Sequence, residues 1–224
     1  MRRYKMENYL NVLSKTALFC DIADDDISSL LACLDAKIRH YKKSDYVLKQ
    51  GERLDDIAVL LDGSLHIQSD DYWGNRSILG HIGAGEIFGE AYALSRGERL
   101  QSDVVAIEDC VVMFLDAKRI ISTCSSACKF HSTVIRNMFY IIAKKNMQLV
   151  GKLGHVNKRT TREKLISYLS QEAKRQHSSE VAIPFNRQQL ADFLFVDRSA
   201  MSNELCKMRD EGLLTFRKNT FKLL

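Results

Sequence analysis

Between residues 135 and 156 the chain repeats an apolar position with heptad timing. Ile135, Phe139, Ile142, Asn146, Leu149, Leu153 and Val156 follow one another at intervals of 4, 3, 4, 3, 4 and 3 residues. An α-helix keeps such positions on one face, so the spacing predicts a long helix with a narrow seam over about three heptads. A single Asn inside an apolar seam fixes register and favours a parallel two-stranded pairing, at some cost in stability. The same segment carries Arg136, Lys144, Lys145 and Lys152 and no acidic residue. Apolar helix stripes most often pack on their own domain, and that reading stays open here. The seam separates two segments of different texture, which favours a dimer helix.

Before the seam, residues Asp24 to Leu34 read as a short helix, with Asp24 as its cap and Ile27, Leu30, Leu31 and Leu34 at helical spacing. From Ile38 to Leu115 short apolar runs are broken by Gly, Asp and Asn: Tyr46 to Leu48, Ile57 to Leu61, Leu65 to Ile67, Ile78 to Ile82, Val104 to Ile107 and Val111 to Leu115. Short runs with turn signals every roughly 8–12 residues predict an antiparallel sandwich or barrel. Asp62-Gly63 and Gly74-Asn75 fit tight turns, because these residues tolerate positive φ.

From about Asn157 the chain reads as a compact α/β unit. Thr161 to Gln171 forms an amphipathic helix with Leu165, Ile166 and Leu169 inward, and Val181 to Phe185 is an edge strand in which Pro184 is tolerated. Asn186 caps a helix over Arg187 to Leu194, with Gln189 at its third position. Asp197 caps a second helix with Met201, Leu205 and Met208 inward, and Gly212 suits the position just past its end. Leu213 to Phe216, the tip Arg217-Lys218-Asn219 and Thr220 to Leu223 make a hairpin.

Two short helices joined by a tight turn and followed by a basic hairpin describe a winged helix-turn-helix. Leu190, Ala191, Leu194, Val196, Met201 and Leu205 would lock the helices together. The opposite face of the second helix then carries Arg198, Ser199, Ser202, Asn203 and Lys207, headed by Asp197. Short polar and basic side chains there can enter a major groove, where Arg pairs with guanine and Asn with adenine. Arg217, Lys218 and the helix start at Arg187 and Gln188 suit phosphates, which position a protein without reading sequence.

Charge supports that assignment. Residues 158–224 hold 13 Lys and Arg against 8 Asp and Glu, the whole of the net +5, while residues 1–157 hold 20 of each sign. Cutting at residue 130 instead leaves −4 before the cut and +9 after it. The longest uncharged stretches, Ser77–Gly85 and Ile120–Cys128, are far below the roughly 18 residues of a membrane span. A soluble protein without membrane contact is expected, and the basic N-terminus lacks the apolar run of a secretory signal. Six scattered cysteines in a chain of this size read as reduced thiols. Cys124 and Cys128 would share a helix face, but no Cys/His cluster of metal-binding form is present. No Ser-His-Asp set, paired carboxylates, HExxH or P-loop points to an enzyme. The histidines are scattered, although His66 and His81 lie on what would be adjacent strands and could approach one another.

Three sets of residues then resemble one family: Gly85-Glu86-Ile87-Phe88-Gly89-Glu90, the seam helix, and Gln189-Leu190-Ala191-Asp192-Phe193-Leu194 with Asp197-Arg198-Ser199-Ala200-Met201-Ser202-Asn203-Glu204-Leu205. The chain is similar, from about Phe19 onward, to the catabolite-activator and fumarate–nitrate (Crp/Fnr) transcription regulators of bacteria. The resemblance implies a β-roll sensor domain of the cyclic-nucleotide-binding kind, a dimerising helix, a palindromic operator in double-stranded DNA and a contact with RNA polymerase. It also implies an effector site near Gly89, Glu90, Ala91, Arg99 and Ser102. Members that bind cyclic AMP follow the Gly-Glu pair with Arg and an adjacent Ser or Thr that hold the phosphate. Here Arg99 is followed by Leu100 and Gln101, so a cyclic nucleotide is not expected, and Gly89 and Glu90 read as a tight turn and helix start. Cys20 and Cys33 alone do not make the cysteine cluster of the iron–sulfur branch, so no such cluster is expected. Where the family often has Arg this chain has Asn203, and Phe195 stands where a small residue is common; a different operator and a turn packed on its neighbouring helix are expected.

The fold class expected is α+β: a β-roll or jelly-roll sensor over residues 1–125, a dimerisation helix over 126–156 and a winged helix-turn-helix over 157–224. The function expected is a homodimeric cytoplasmic regulator controlled by an unknown small-molecule effector or redox signal. A cyclic-nucleotide receptor whose main role is not DNA binding is the competing reading.

Overall fold

The computed structural model describes residues 9–70, 72–73, 76–95, 97–122 and 129–224, without the side chains of Arg76 and Lys129. The expected turn at Gly74-Asn75 and the Cys124/Cys128 pair lie outside these residues. The chain divides into two compact units, residues 1–69 with 80–144 and residues 70–79 with 145–224.

The first unit opens with α1 (Leu10–Leu13), a 3-10 turn (Ala17–Phe19) and α2 (Asp24–Cys33). Asp24 does not cap α2; the cap position is Ala23, and Asp24, Asp25 and Asp26 fill the first turn. Three carboxylates there complement the positive end of the helix dipole. The strands β1 (Lys37–Tyr41), β2 (Tyr46–Leu48), β3 (Asp56–Asp62), β4 (Ser64–Asp70), β5 (Arg76–Gly83) and β6 (Ile87–Phe88) follow. After α3 (Glu90–Ala93) come β7 (Asp103–Ala106), β8 (Cys110–Asp116) and α4 (Ala117–Ile121).

Two four-stranded sheets result, in the orders β1-β8-β3-β6 and β2-β7-β4-β5. Central strand β3 pairs antiparallel with β8 from Asp56↔Asp116 to Leu60↔Val112. Alternation along β3 sends Ala58 and Leu60 to an inner cluster with Leu65, Val104, Ala106, Val112 and Phe114. Ile57, Val59 and Leu61 face the other way, joining Met113 and Leu115 under α2 and residues of the long helix. Both faces of β3 are covered, so Ile57–Leu61 is an unbroken apolar run. The β3–β4 turn requires glycine: Gly63 has φ +90°, and a Cβ there would lie 2.6 Å from the Asp109 carbonyl oxygen.

The long helix α5 (Lys129–Val156) spans the boundary between the units. Within the first unit Val134, Met138 and Ile141 pack into the same cluster as Leu30, Leu31 and Leu34. Buried Asn137 donates from Nδ2 to the carbonyls of Leu18 and Cys20 at 3.0 and 2.8 Å, tying the N-terminal segment to the helix.

The second unit contains α6 (Thr161–Gln176), β9 (Glu180–Ala182), α7 (Arg187–Leu194), α8 (Arg198–Asp210), β10 (Leu214–Arg217) and β11 (Thr220–Leu223). The sheet order is β10-β11-β9. Leu165, Leu169, Leu190, Leu194, Met201, Leu205, Leu214 and Phe221 form its core, joined by Ile78. Helix α6 runs five residues past the expected end, and His177 closes it in the left-handed conformation. A capping box of Thr160 and Glu163 starts it, a signal also legible in the sequence. Among the described residues no helix is long and apolar enough to cross a membrane.

Asn137→Ala removes the donor of two buried hydrogen bonds, and leaving their carbonyl partners unmet should destabilise the first unit by about 1–3 kcal/mol. Chemical denaturation followed by circular dichroism checks this, and an unchanged midpoint contradicts it.

Candidate nucleic-acid interface and sensor site

Helix α7 begins with a reciprocal cap. Asn186 Oδ1 accepts from the Gln189 amide at 3.0 Å, and Gln189 Oε1 accepts from the Asn186 amide at 2.8 Å. The helix ends at Phe195, whose φ of +53° places a bulky residue in the left-handed region. Two residues later Asp197 caps α8, accepting from the Ala200 amide at 2.7 Å and from the Ser199 hydroxyl. These hydrogen bonds hold the Asp197 carboxyl below the usual range.

On α8, Met201, Leu205 and Met208 are buried, which turns Arg198, Ser199, Asn203 and Lys207 outward, with Ser202 at the margin. Cys206 shares that outward face, a placement not singled out in the sequence. Of the expected phosphate contacts, Gln188, Arg217 and Lys218 are exposed, and Lys218 forms the hairpin tip with φ +53°. The Arg187 guanidinium instead lies 4.7 and 4.8 Å from the ring centres of Phe216 and Phe221, where burial pushes its pKa down. Arg187 therefore braces the wing against the start of α7.

Two cations missed by the sequence reading fix the helix pair. Arg162 at the start of α6 donates Nη1 and Nη2 to Glu211 at 2.8 and 2.7 Å, and its Nε to Glu204. Lys164 Nζ donates to the carbonyls of Leu194 and Phe195 at 3.0 and 3.2 Å, satisfying the open end of α7. Neither pairing leaves a local signal, since the partners stand 30 to 49 positions apart. In the same unit Lys152 donates to the carbonyls of Ile78 and Leu79 and sits 4.1 Å from the Phe193 ring centre. Burial pushes its pKa down to about 8.

The α5 seam is left uncovered along most of its length. Phe139, Leu149 and Leu153 are 69%, 58% and 49% exposed, and Ile142 and Asn146 are exposed with them; Ile135 and Val156 are half-buried. The helix thus packs on its own unit through a different stripe, Val134, Met138 and Ile141.

The expected effector residues divide between buried and exposed positions. Gly89 (φ +78°) precedes α3, and a Cβ there would meet Leu54 Cδ2 at 2.5 Å, so the position demands glycine. Glu90 and Ser102 are buried, whereas Ala91 and Arg99 are exposed. Leu100 explains the outward turn of Arg99. It exchanges backbone hydrogen bonds with Gly51 and Glu52 and buries its side chain in the inner cluster. The adjacent Arg99 is exposed and donates Nη1 to the Gly51 carbonyl at 2.7 Å. His66 and His81 do approach, with ring centres 5.7 Å apart and a 2.7 Å hydrogen bond between Ser64 Oγ and His81 Nε2. Burial pushes His66 down to about 4 and lowers His81 as well, so both rings are neutral at pH 7. No group of three metal-binding side chains occurs among the described residues.

Two family models match the chain, a cyclic nucleotide-binding domain over residues 38–127 and a Crp-like helix-turn-helix domain over residues 163–224. The chain belongs to the Crp/Fnr family. Solved structures of similar fold include the c-di-GMP-responsive global regulator CLP of Xanthomonas campestris, 18% identical, with TM-score 0.70 over 88% of this chain and 97% of that one. FixK2 of Bradyrhizobium japonicum is 18% identical with TM-score 0.64, over 84% and 92% of the two chains. CprK bound to OCPA is 15% identical with TM-score 0.70, over 87% and 88%. Among curated proteins, human cGMP-dependent protein kinase 2 is 24% identical over 111 residues, which cover 49% of this chain and 14% of the kinase. At these identities the structural likeness is one of fold.

In this Crp/Fnr chain the geometry of the reader depends on the ammonium at the α7 C-terminus. Lys164→Met keeps the aliphatic stem and removes the donor, and should destabilise the second unit by about 0.5–1.5 kcal/mol. Differential scanning calorimetry checks this; a variant as stable as the parent contradicts it.

Proposed function

We propose that the chain is a sequence-specific transcription regulator that acts as a homodimer on a palindromic operator. The Crp-like DNA-binding regulator fold with its cyclic nucleotide-binding sensory domain is shown by the family matches; the dimer, the operator and the control by a signal are the proposal. The observation that carries it is the exposed seam on α5. An apolar stripe of this length left open while a neighbouring stripe is buried calls for a partner of the same periodicity, and a second copy supplies it with Asn146 opposite Asn146.

Two copies present two α8 faces, and dyad-related recognition helices match a palindrome. Base reading then falls to Arg198, Ser199, Ser202 and Asn203, with Lys207, Arg217, Lys218 and the Gln188 end of α7 on phosphates. The +9 carried after residue 130 attracts the duplex, and the −4 before it orients the sensor half away. A small-molecule effector or redox signal in the roll would change the helix pairing and so operator affinity. Leu100 fills the inner cluster while Arg99 is exposed and held on the Gly51 carbonyl, which supports an effector other than a cyclic nucleotide. This reading makes the protein a non-enzymatic cytoplasmic regulator with RNA polymerase as a further partner.

Sedimentation velocity at micromolar concentration should give a dimer, and Leu149→Asp should weaken it at least thirtyfold, since burying a Leu contributes about 1.5–3 kcal/mol and a buried charge opposes it further. A monomeric parent chain sinks the dimer. Fluorescence titration against an operator selected from random sequence should show salt-dependent binding. Asn203→Ala should relax preference at one base pair per half-site by about 1–3 kcal/mol, whereas Lys218→Ala should weaken all sequences alike and reduce the salt slope. Binding that is absent at every sequence refutes the reading.

A further inference from the structure

The first unit holds a thiol and an imidazole side by side, outside the inner cluster of the roll. Cys33 ends α2, His131 lies in the first turn of α5, and Cys33 Sγ is 3.9 Å from His131 Nε2. The imidazole is 2% exposed and its Nδ1 has no hydrogen-bond partner, while its Nε2 faces the thiol of half-buried Cys33. Arg119 Nη1 donates to the carbonyl of Cys33 at 3.1 Å, so a guanidinium is anchored on the same residue, its Nε 3.7 Å from Asp116.

A buried polar atom without a partner is costly and uncommon in native folds, and redox or catalytic use is one reason for keeping it. A neighbouring imidazole can convert a thiol into a thiolate nucleophile; Arg119 is engaged by the Cys33 carbonyl and Asp116 and the negative end of α2 opposes the effect, so the imidazole has to carry it. The chain contains its own contrasts. Cys110 is buried, and its thiol is pushed up to about 11 by that burial. Cys20 is exposed, a more open residue than Cys33.

We propose that Cys33 and His131 form an activated thiol pair that reacts with hydroperoxides. His131 takes the thiol proton. The Cys33 thiolate attacks the terminal peroxide oxygen, the S–O bond forms as the O–O bond breaks, and sulfur gives up two electrons. The departing alkoxide or hydroxide takes the proton from His131, leaving a sulfenic acid and one alcohol or water. The added oxygen appears beside His131, one turn before Val134, where α5 is anchored to its own unit.

The test uses the reduced full chain and hydrogen peroxide at pH 7, with sulfenic acid trapped by a cyclic 1,3-dione and located by mass spectrometry. Cys33 should be labelled at least tenfold faster than Cys20 despite its lower exposure, and Cys33→Ser should abolish that label. Alkylation of Cys33 by iodoacetamide should have its pH midpoint at least one unit below the ordinary thiol value of about 8.5, and His131→Gln should return it there. Slower labelling of Cys33 than of Cys20 overturns the proposal, as does a midpoint that His131→Gln leaves in place. If His131→Gln does not fold, the comparison of the two cysteines and the midpoint in the parent chain decide the matter. None of these readouts involves DNA, so their outcome is independent of the proposed regulatory role.

Discussion

One helix with two apolar stripes governs this structure. On α5 the stripe Val134, Met138 and Ile141 is buried in the first unit, and Asn137 beside it donates to the buried Leu18 carbonyl and the part-buried Cys20 carbonyl. The seam from Ile135 to Val156 lies about a quarter-turn around the same helix and stays largely open. Because helical side chains radiate at fixed angles, anchoring the first stripe orients the second. The sensor fold and the proposed pairing surface are therefore set by the same twenty-eight residues.

The DNA-reading unit achieves order by a different route. Its helices are short, and a short helix depends on its ends and its packing. Capping residues Asn186 and Asp197 secure the starts of α7 and α8, Lys164 secures the end of α7, and Arg162 ties α8 to α6 through two carboxylates. Arg187 supports the wing from below. These polar contacts hold the scaffold and leave Arg198, Asn203 and Lys207 outward, so under the proposed function rigidity and recognition fall to different side chains.

Much of this was legible from the chain alone because the relevant signals are local. Heptad spacing, the box at Asn186, the Asp62-Gly63 turn and the inward residues of α8 all depend on residues within a few positions of one another. What escaped is what depends on distant partners. Arg187 reads as a phosphate contact until Phe216 and Phe221 are seen beneath its guanidinium, and Lys164 shows no purpose until the end of α7 is placed against it. Asp24 looked like a cap, but the helix begins one residue earlier than that reading requires, with Ala23 at the cap position and Asp24 inside the first turn. The five expected effector residues were near in sequence, yet Leu100 claims the inward position and turns Arg99 out. The choice between an own-domain stripe and a pairing seam could not be made from one periodicity; in the structure a second stripe, Val134, Met138 and Ile141, is buried on its own unit and the heptad seam is left largely exposed.

The most direct test of this account is the stoichiometry and affinity of the chain on a selected palindromic duplex compared with a duplex carrying one half-site. Native mass spectrometry with a parallel titration should show two chains on the palindrome and much weaker binding to the half-site, with Leu149→Asp losing the difference. One chain per duplex, or equal affinity for both duplexes, would contradict the central claim that the exposed seam pairs two copies to read DNA.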